Sequence, residues 1–280
     1  MFSKLYLEIT NICNLQCSFC PGTRRPRRFL SEAEFCTLAE KLRPHGKYLY
    51  FHVMGEPLLH PLLPRFLEIA GELDFRVVIT TNGTLLPKRQ AELLAAPALH
   101  KVNVSLHAPE ANDLQNMTAY LDGCTAFAAA ASERGVLCSL RLWNLDGDGT
   151  VGRHDRNDEV LDAFHRAFPE PWTKNTRGYR LRDRLFLEWG ETFDWPDTET
   201  GDRGEDCFCY GLRDQIAVLS DGTVVPCCLD HEGDISLGNL FHQELDDILQ
   251  GSRARALYDG FSRRRAVEPL CRTCGYARRF

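Results

Sequence analysis

The sequence predicts an α/β protein, a set of parallel strands covered by helices and followed by a smaller cysteine-rich segment. Three observations predict it. Short β-rich runs alternate with helical stretches of roughly 10 to 20 residues, a spacing that suits crossovers between parallel strands rather than hairpins. The alternation stops near Gly190, and beyond Gly204 six cysteines follow. Within that last part an Asp-Gly pair joins two strand-like runs, the signal of a hairpin. At 280 residues, 44% hydrophobic and with no long low-complexity tract, the chain can bury a substantial core.

The elements follow in order. Leu5 to Thr10 is an apolar first strand, and a loop holding Cys13, Cys17 and Cys20 leaves it. Ser31, with Glu32 and Glu34 behind it, reads as an N-cap with an acidic first turn, so a helix should run to about Leu42. Tyr48 to Val53 is a buried-strand run, ended by Met54-Gly55-Glu56-Pro57. A helix from about Pro61 to Glu72, a strand over Arg76 to Thr81, the loop Asn82-Gly83 and a helix over Lys88 to Leu94 come next. Strand Lys101 to His107, a helix from near Asp113 to Arg134 and strand Val136 to Trp143 complete five clear strands. Between Asn144 and Asp183 the chain is polar, with a helical stretch near Glu159 to Phe168. Asp146 and Asp148 lack the other ligand positions of a calcium loop and read as turn residues. Leu185 to Trp189 is the best candidate for a sixth strand. Trp195-Pro196 and the glycines at 201 and 204 mark a loop-rich boundary. Gln215 to Leu219 and Thr223 to Val225 form the hairpin around Asp221-Gly222, and helices near Gln243 to Gln250 and Arg253 to Phe261 follow.

Composition excludes some classes. A net charge of −6 argues against bulk nucleic-acid binding, which needs a basic surface to displace counterions. The basic runs Arg24 to Arg28, Arg263 to Arg265 and Arg278-Arg279 read as solvated faces. No secretory signal precedes Leu5 and no run approaches the length of a membrane span, so a cytoplasmic location is expected. In a reducing cytosol twelve cysteines point to metal ligation rather than disulfides.

Cys13, Cys17 and Cys20 stand at spacings of four and three, so their thiolates can converge on one centre. Such soft ligands select iron-sulfur clusters, zinc or cuprous copper. A cubane 4Fe-4S cluster usually takes four cysteines, and three local ones would leave one iron open to a small molecule. A zinc knuckle is the bland alternative, but it needs a local fourth ligand and none is evident. The Cys-x3-Cys-x2-Cys spacing, with Phe19 just before the last cysteine, resembles the signature of radical S-adenosylmethionine (SAM) enzymes. The resemblance implies a partial (β/α)6 barrel over residues 1–190 and a 4Fe-4S cluster whose open iron chelates SAM. It further implies reductive cleavage of SAM to a 5′-deoxyadenosyl radical that abstracts hydrogen from an unactivated carbon. A flavodoxin- or ferredoxin-type protein would supply the electron, and so oxidisable a cluster suggests an anaerobic host.

Functional groups of parallel barrels gather at the carboxyl ends of the strands, where the cysteine loop, Gly55-Glu56-Pro57, Asn82 and Ser105 to His107 all fall. Gly55-Glu56-Pro57 is similar to the family motif that binds the SAM amino group through backbone carbonyl and carboxylate. Ser105 and Asn82 are expected near SAM on the same resemblance. From 191 to 280, the spacing Cys209-x12-Gly222-x4-Cys227 resembles the start of the SPASM signature, and a chain ending soon after Cys271-x2-Cys274 looks like the shortened Twitch form with one auxiliary 4Fe-4S cluster. Cys209, Cys227, Cys271 and Cys274 are the implied ligands, with Cys207 the alternative to Cys209 and a zinc ribbon the alternative to a cluster. Cys228 is left for packing or hydrogen-atom donation. Cys36, Cys124 and Cys138 read as small buried hydrophobes.

No base can be named, since His52, His107, Asp230 and His231 all qualify. The compact chain and single auxiliary site point to oxidation of a small polar molecule. Peptide modification is the alternative, although a chain starting so close to its cysteine loop leaves no N-terminal room for a leader-binding domain. A non-catalytic zinc- or cluster-binding regulatory module is the third reading.

Overall fold

The computed structural model describes residues 1–108, 116–145, 157–191, 193–199 and 201–279. In chain order its strands are β1 (Lys4–Leu7), β2 (Tyr48–Phe51), β3 (Arg76–Thr81), β4 (Leu99–Ser105), β5 (Leu137–Leu145), β6 (Thr173–Asn175), β7 (Gly178–Arg182), β8 (Leu185–Glu191), β9 (Gln215–Val218), β10 (Thr223–Val225) and β11 (Gly238–Asn239). They form one open sheet in the order β11-β10-β9-β1-β2-β3-β4-β5-β8-β7-β6. Pairing is parallel from β9 through β8 and antiparallel at both edges. The sheet does not close, and β8 supplies the sixth strand of the half-barrel.

Helices α1 (Glu32–Leu42), α2 (Leu63–Glu72), α3 (Leu86–Ala95), α4 (Met117–Glu133) and α5 (Asn157–Ala167) make the crossovers. Side chains alternate along each strand, so one face of the sheet meets these helices and the other lines the hollow of the half-barrel. On the helix side Leu5, Leu7, Leu49, Phe51, Val77, Ile79, Val102, Val104, Leu140 and Leu187 are all but fully buried. Phe35 of α1 stacks on Phe66 of α2 at 4.1 Å between these layers. Helix α1 starts where expected because Ser31 and Glu34 close a capping box.

The last part of the chain extends the same sheet. Strand β9 bonds in parallel to β1, from Lys4 opposite Gln215 to Leu7 opposite Val218, and brings the hairpin to the rim where the cysteine loop begins. Helices α6 (Leu245–Gln250), α7 (Ser252–Ser262) and α8 (Pro269–Thr273) follow. The β6–β7 hairpin lies in the polar stretch left unassigned by sequence, because the edge strand β6 is exposed throughout and β7 beside it buries only Leu181, too little for hydrophobic alternation to show. Strand β4 stops at Ser105, two residues before the expected His107, and a turn follows. Asp146, Asp148 and the first turn expected near Asp113 lie outside the described residues. Cys124 and Cys138 are fully buried and Cys36 packs half-buried against the same core.

One buried ion pair ties these parts together. Glu8, just past β1, is fully buried and accepts two hydrogen bonds from the Arg25 guanidinium, at 2.8 and 2.6 Å. The same carboxylate accepts from the Ser220 backbone N–H and hydroxyl, at 3.0 and 2.8 Å, and from the Met54 N–H at 3.2 Å. Arg25 Nε also donates to the His231 carbonyl at 2.7 Å. Burial alone would lower the Arg25 pKa, but hydrogen bonding and charge from Glu8 outweigh it and hold it above the usual value. The sequence places Arg24 to Arg28 in solvent; Arg25 departs from that because a buried carboxylate must be matched.

Replacing Arg25 with methionine strands the Glu8 charge and should cost about 3–5 kcal/mol in urea denaturation, whereas the double variant with Glu8→Leu recovers much of the loss. His60 is fully buried, its ring bonded to the Leu30 carbonyl and the Leu62 N–H, and burial pushes its pKa down to about 4. Its stability contribution is present above the unfolded value of about 6.5 and lost as pH falls towards about 4, so His60→Gln should flatten that part of the stability profile.

Candidate cluster and cofactor site

The cysteine loop is closed at its base. Thr10 Oγ1 donates to the Arg28 carbonyl, Asn11 bonds both the Pro26 carbonyl and the Arg28 N–H, and Leu30 N–H donates to the Ile9 carbonyl. Residues 26–30 therefore return along 9–11 and hold 13–24 as a loop above β1. Cys13 and Cys20 are exposed on it and Cys17 is half-buried. Asn14 fastens the loop sideways, donating to Thr84 Oγ1 and accepting from Asn82 Nδ2, each at 2.9 Å. Asn82 Nδ2 also lies 4.0 Å from Cys13 Sγ. Burial pushes the Cys13 thiol up, the Leu15 N–H opposes this, and Glu56, Cys17 and Cys20 add to the rise.

Gly55 and Glu56 lock the second loop onto the first. Gly55 has φ +78, and a Cβ there would stand 2.5 Å from the Thr10 carbonyl and 2.9 Å from that of Ile12. The Glu56 N–H donates to the Ile12 carbonyl at 2.9 Å. The Glu56 carboxylate is buried and accepts from Thr81 Oγ1, Asn82 N–H and Leu58 N–H at 2.8, 2.7 and 3.0 Å. Burial raises its pKa to about 7 against those three donors. Its side chain joins the ends of β2 and β3, while Pro57 is buried at the start of a short turn of helix. Asn82 is buried, and its carbonyl accepts from Tyr120 OH at 2.9 Å. Ser105 ends β4 half-buried opposite Arg141 of β5. The His107 ring packs at a tilt against Phe19 of the cysteine loop, 4.9 Å between ring centres, with Nδ1 3.3 Å from the Arg141 carbonyl.

The second cysteine group assembles from three segments, before β9, after β10 and around α8. Burial pushes the Cys227 thiol well above its usual range, and the thiols of Cys209, Cys228, Cys271 and Cys274 raise it further. Cys271 is raised by burial, then by Cys209, Cys274 and Cys207; Cys209 is pushed up to about 12. Cys207 is nearly buried, its thiol donating to the Phe208 carbonyl at 3.6 Å. Cys228 turns away towards the hollow, hydrogen-bonded to Tyr6 and packed with Val53, Ala217, Leu219 and Val225.

This donor set fits iron-sulfur clusters. Buried thiols crowding one another are costly as thiolates unless a cationic centre neutralises them. Among the described residues no three His, Cys, Asp or Glu side chains close on a single metal-ion position. A cubane spreads its cysteines over separate irons, so its ligands need not meet at one point.

The base candidates separate by environment. Asp230 braces its own loop by accepting from the Asp234 and Ile235 N–H groups. His231 packs edge-on to Trp195 with Nδ1 near the Leu229 carbonyl. His52 faces the hollow, beside Tyr6 at 5.1 Å. Sequence reasoning missed Glu8, Arg25, Asn14 and Thr84; only the polar Glu8 inside an apolar strand run gave a signal.

A parallel half-barrel with a three-thiol loop at the carboxyl ends of its strands and a second thiol group alongside defines a class, the cluster-bearing α/β proteins. The chain belongs to the radical SAM superfamily, whose model matches residues 7–148; the SPASM iron-sulfur cluster-binding domain matches residues 207–275. Its cofactors are accordingly a 4Fe-4S cluster and SAM, with auxiliary iron-sulfur binding in the later segment. A GTP 3′,8-cyclase of Microcystis aeruginosa is 34% identical over 303 residues, covering 91% of this chain and 90% of that protein. The antilisterial bacteriocin subtilosin biosynthesis protein AlbA of Bacillus subtilis is 23% identical over 96% of this chain and 65% of its own length. Two further curated relatives are matched over only 35% and 36% of their own length. The crystal structure of BtrN with AdoMet and 2-DOIA shares the fold, with a TM-score of 0.60, 22% identity, and coverage of 98% of this chain and 93% of that one. Among the described residues no helix is long and apolar enough to cross a membrane.

Gly55→Ala should both strain the backbone and drive a methyl into the Thr10 carbonyl, costing on the order of 1–3 kcal/mol in denaturation and lowering the iron retained after reconstitution. Gly22→Ala in the cysteine loop, at φ +67 with open space around it, should cost only about 1 kcal/mol and keep the iron.

Proposed function

We propose that this chain is a radical SAM oxidoreductase acting on a small polar molecule, with one auxiliary 4Fe-4S cluster assisting. The observation that carries this reading is the polar part of the hollow under the three-thiol rim, where Tyr50, His52, Thr80, Asn103, Ser139, Arg141 and Glu188 gather beside an apolar patch of Val53, Ala217, Leu219 and Val225. A polar hollow of this kind suits a compact hydrogen-bonding substrate. The match to the GTP 3′,8-cyclase along nearly the full length of both chains supports a small-molecule substrate as well.

In this reading Cys13, Cys17 and Cys20 hold the SAM-binding cluster, and Cys209, Cys227, Cys271 and Cys274 hold the auxiliary one. Bound cluster and SAM supply one-electron cleavage and hydrogen abstraction; the protein supplies orientation and electrostatics. Gly55 brings the second loop against the first, and Glu56 acts through position, fixing the Asn82 backbone beside the cysteine loop. Pro57 and Ser105 complete the SAM-facing rim. His107 shields Phe19 and one side of the loop, and Cys228 with Tyr6 closes the hollow on the β9 side. The core ends near residue 190 and the auxiliary segment occupies 191–280. A flavodoxin- or ferredoxin-type donor delivers the electron.

Peptide modification is the second reading, favoured by the match to AlbA over 96% of this chain. Neighbouring genes discriminate the two: a short precursor peptide favours modification, sugar or cyclitol enzymes favour the small molecule.

Anaerobic reconstitution should give about eight irons per chain and release 5′-deoxyadenosine with SAM and dithionite. Alanine at Cys13, Cys17 and Cys20 should leave about four irons and abolish that release, whereas alanine at the four later cysteines should leave about four irons with the release retained. Zinc in place of iron, with no deoxyadenosine, would overturn the reading in favour of a non-catalytic module.

A further inference from the structure

Among the described residues, the hollow of the half-barrel carries more positive than negative charge on its β4–β5–β8 wall. Lys101 and Asn103 of β4, Ser139 and Arg141 of β5 and Glu188 of β8 all lie on its concave side, as the strand alternation and pairing require. Glu188 accepts a hydrogen bond from Ser139 Oγ and stands 3.8 Å from Arg141 Nε, too far for a direct hydrogen bond. Arg177 lies near both Lys101 and Arg141. Among the described residues, Lys101 and Arg141 therefore face the Glu188 carboxylate on this part of the wall. Burial, above all, lowers the pKa values of both Lys101 and Arg141. Across the hollow, Tyr6, Tyr50 and His52 form a cluster with ring centres 5.0 to 6.1 Å apart, close enough for their interactions with Arg141 to register. Two polar atoms here are buried without a partner among the described residues, His52 Nδ1 and Asn103 Oδ1. Asn103 is 2% exposed, and its amide donates to Thr80 Oγ1.

We infer that this wall is an oxyanion-recognition site, with Arg141 gripping a carboxylate or phosphate of the substrate while Asn103 Oδ1 and His52 Nδ1 receive hydroxyl or amine groups of the same molecule. The inference rests on the hollow being the substrate site of the enzyme proposed above, and it narrows the substrate class to acidic, hydrogen-bonding small molecules. A planar guanidinium suits a two-oxygen acceptor better than a lysine would. Glu188 tempers the site: it holds part of the Arg141 charge until a stronger anion arrives.

The test titrates the anaerobically reconstituted full chain, saturated with SAM, with inorganic phosphate, with succinate and with the neutral polyol myo-inositol in a calorimeter. Saturable binding of phosphate or of succinate is expected, and which of them binds identifies the oxyanion. Arg141→Gln should weaken it at least about tenfold and Arg141→Lys less. Glu188→Gln should tighten it about threefold or more by removing the competing carboxylate, a gain that misfolding cannot produce. Three results overturn the inference: no saturable heat with either anion, equal anion affinity in wild type and Arg141→Gln, or an equal rise in the SAM concentration needed for deoxyadenosine release by Arg141→Gln, which would assign Arg141 to SAM. Anion binding by a wild-type chain that releases no deoxyadenosine would sink the enzyme reading and leave this site standing.

Discussion

The Glu8–Arg25 pair is the constraint on which the rest depends. A carboxylate with no solvent exposure at the end of the first strand is tolerable only if every lone pair is engaged, and here the donors come from the cysteine loop, the Met54 turn and Ser220 beside the hairpin of the auxiliary segment. Each of these three segments carries part of the candidate chemistry. One buried charge thus sets the relative placement of the three-thiol loop, the Gly55 turn and the later cysteines. The parallel bonding of β9 to β1 makes the same connection through the backbone, so the auxiliary segment and the core share a sheet edge.

Around that anchor the rim is built from short polar links. Gly55 lets one loop press on the carbonyls of another, and Glu56 uses its carboxylate on the backbone of Asn82. Asn82 and Asn14 then hand the position on to the stretch beside Cys13. The consequence is a thiol loop that is open to solvent yet held at its base and its side. Such preorganisation matters where a cofactor must meet a substrate carbon in one orientation. The thiols of the later group are arranged differently, crowded and mostly shielded, which suits iron-sulfur binding away from solvent.

Much of this was legible before any coordinates. The period of the strands and helices follows from hydrophobic alternation, and β1 to β5, β8 and the Asp221-Gly222 hairpin stand where that pattern puts them. The Ser31 to Glu34 capping signal is local and therefore readable. The β6–β7 hairpin was not, since β6 is exposed at the sheet edge and β7 buries a single residue, which leaves no pattern. Arg25 was placed in solvent because four arginines in five residues look alike in a sequence, and nothing local tells which one meets a carboxylate 17 positions away.

By itself the sequence determined the superfamily, the crossover fold and the three-thiol loop, because motif spacing and hydrophobic period are local properties of the chain. Tertiary structure alone decided which groups the Glu56 carboxylate bonds, where Cys228 points, and that the concave wall carries Lys101 and Arg141 against Glu188. Those facts depend on which strand lies beside which, and on which face of the sheet is left hollow. Pairwise contacts between residues far apart in the chain leave no periodic trace, so they become visible only when the sheet is assembled.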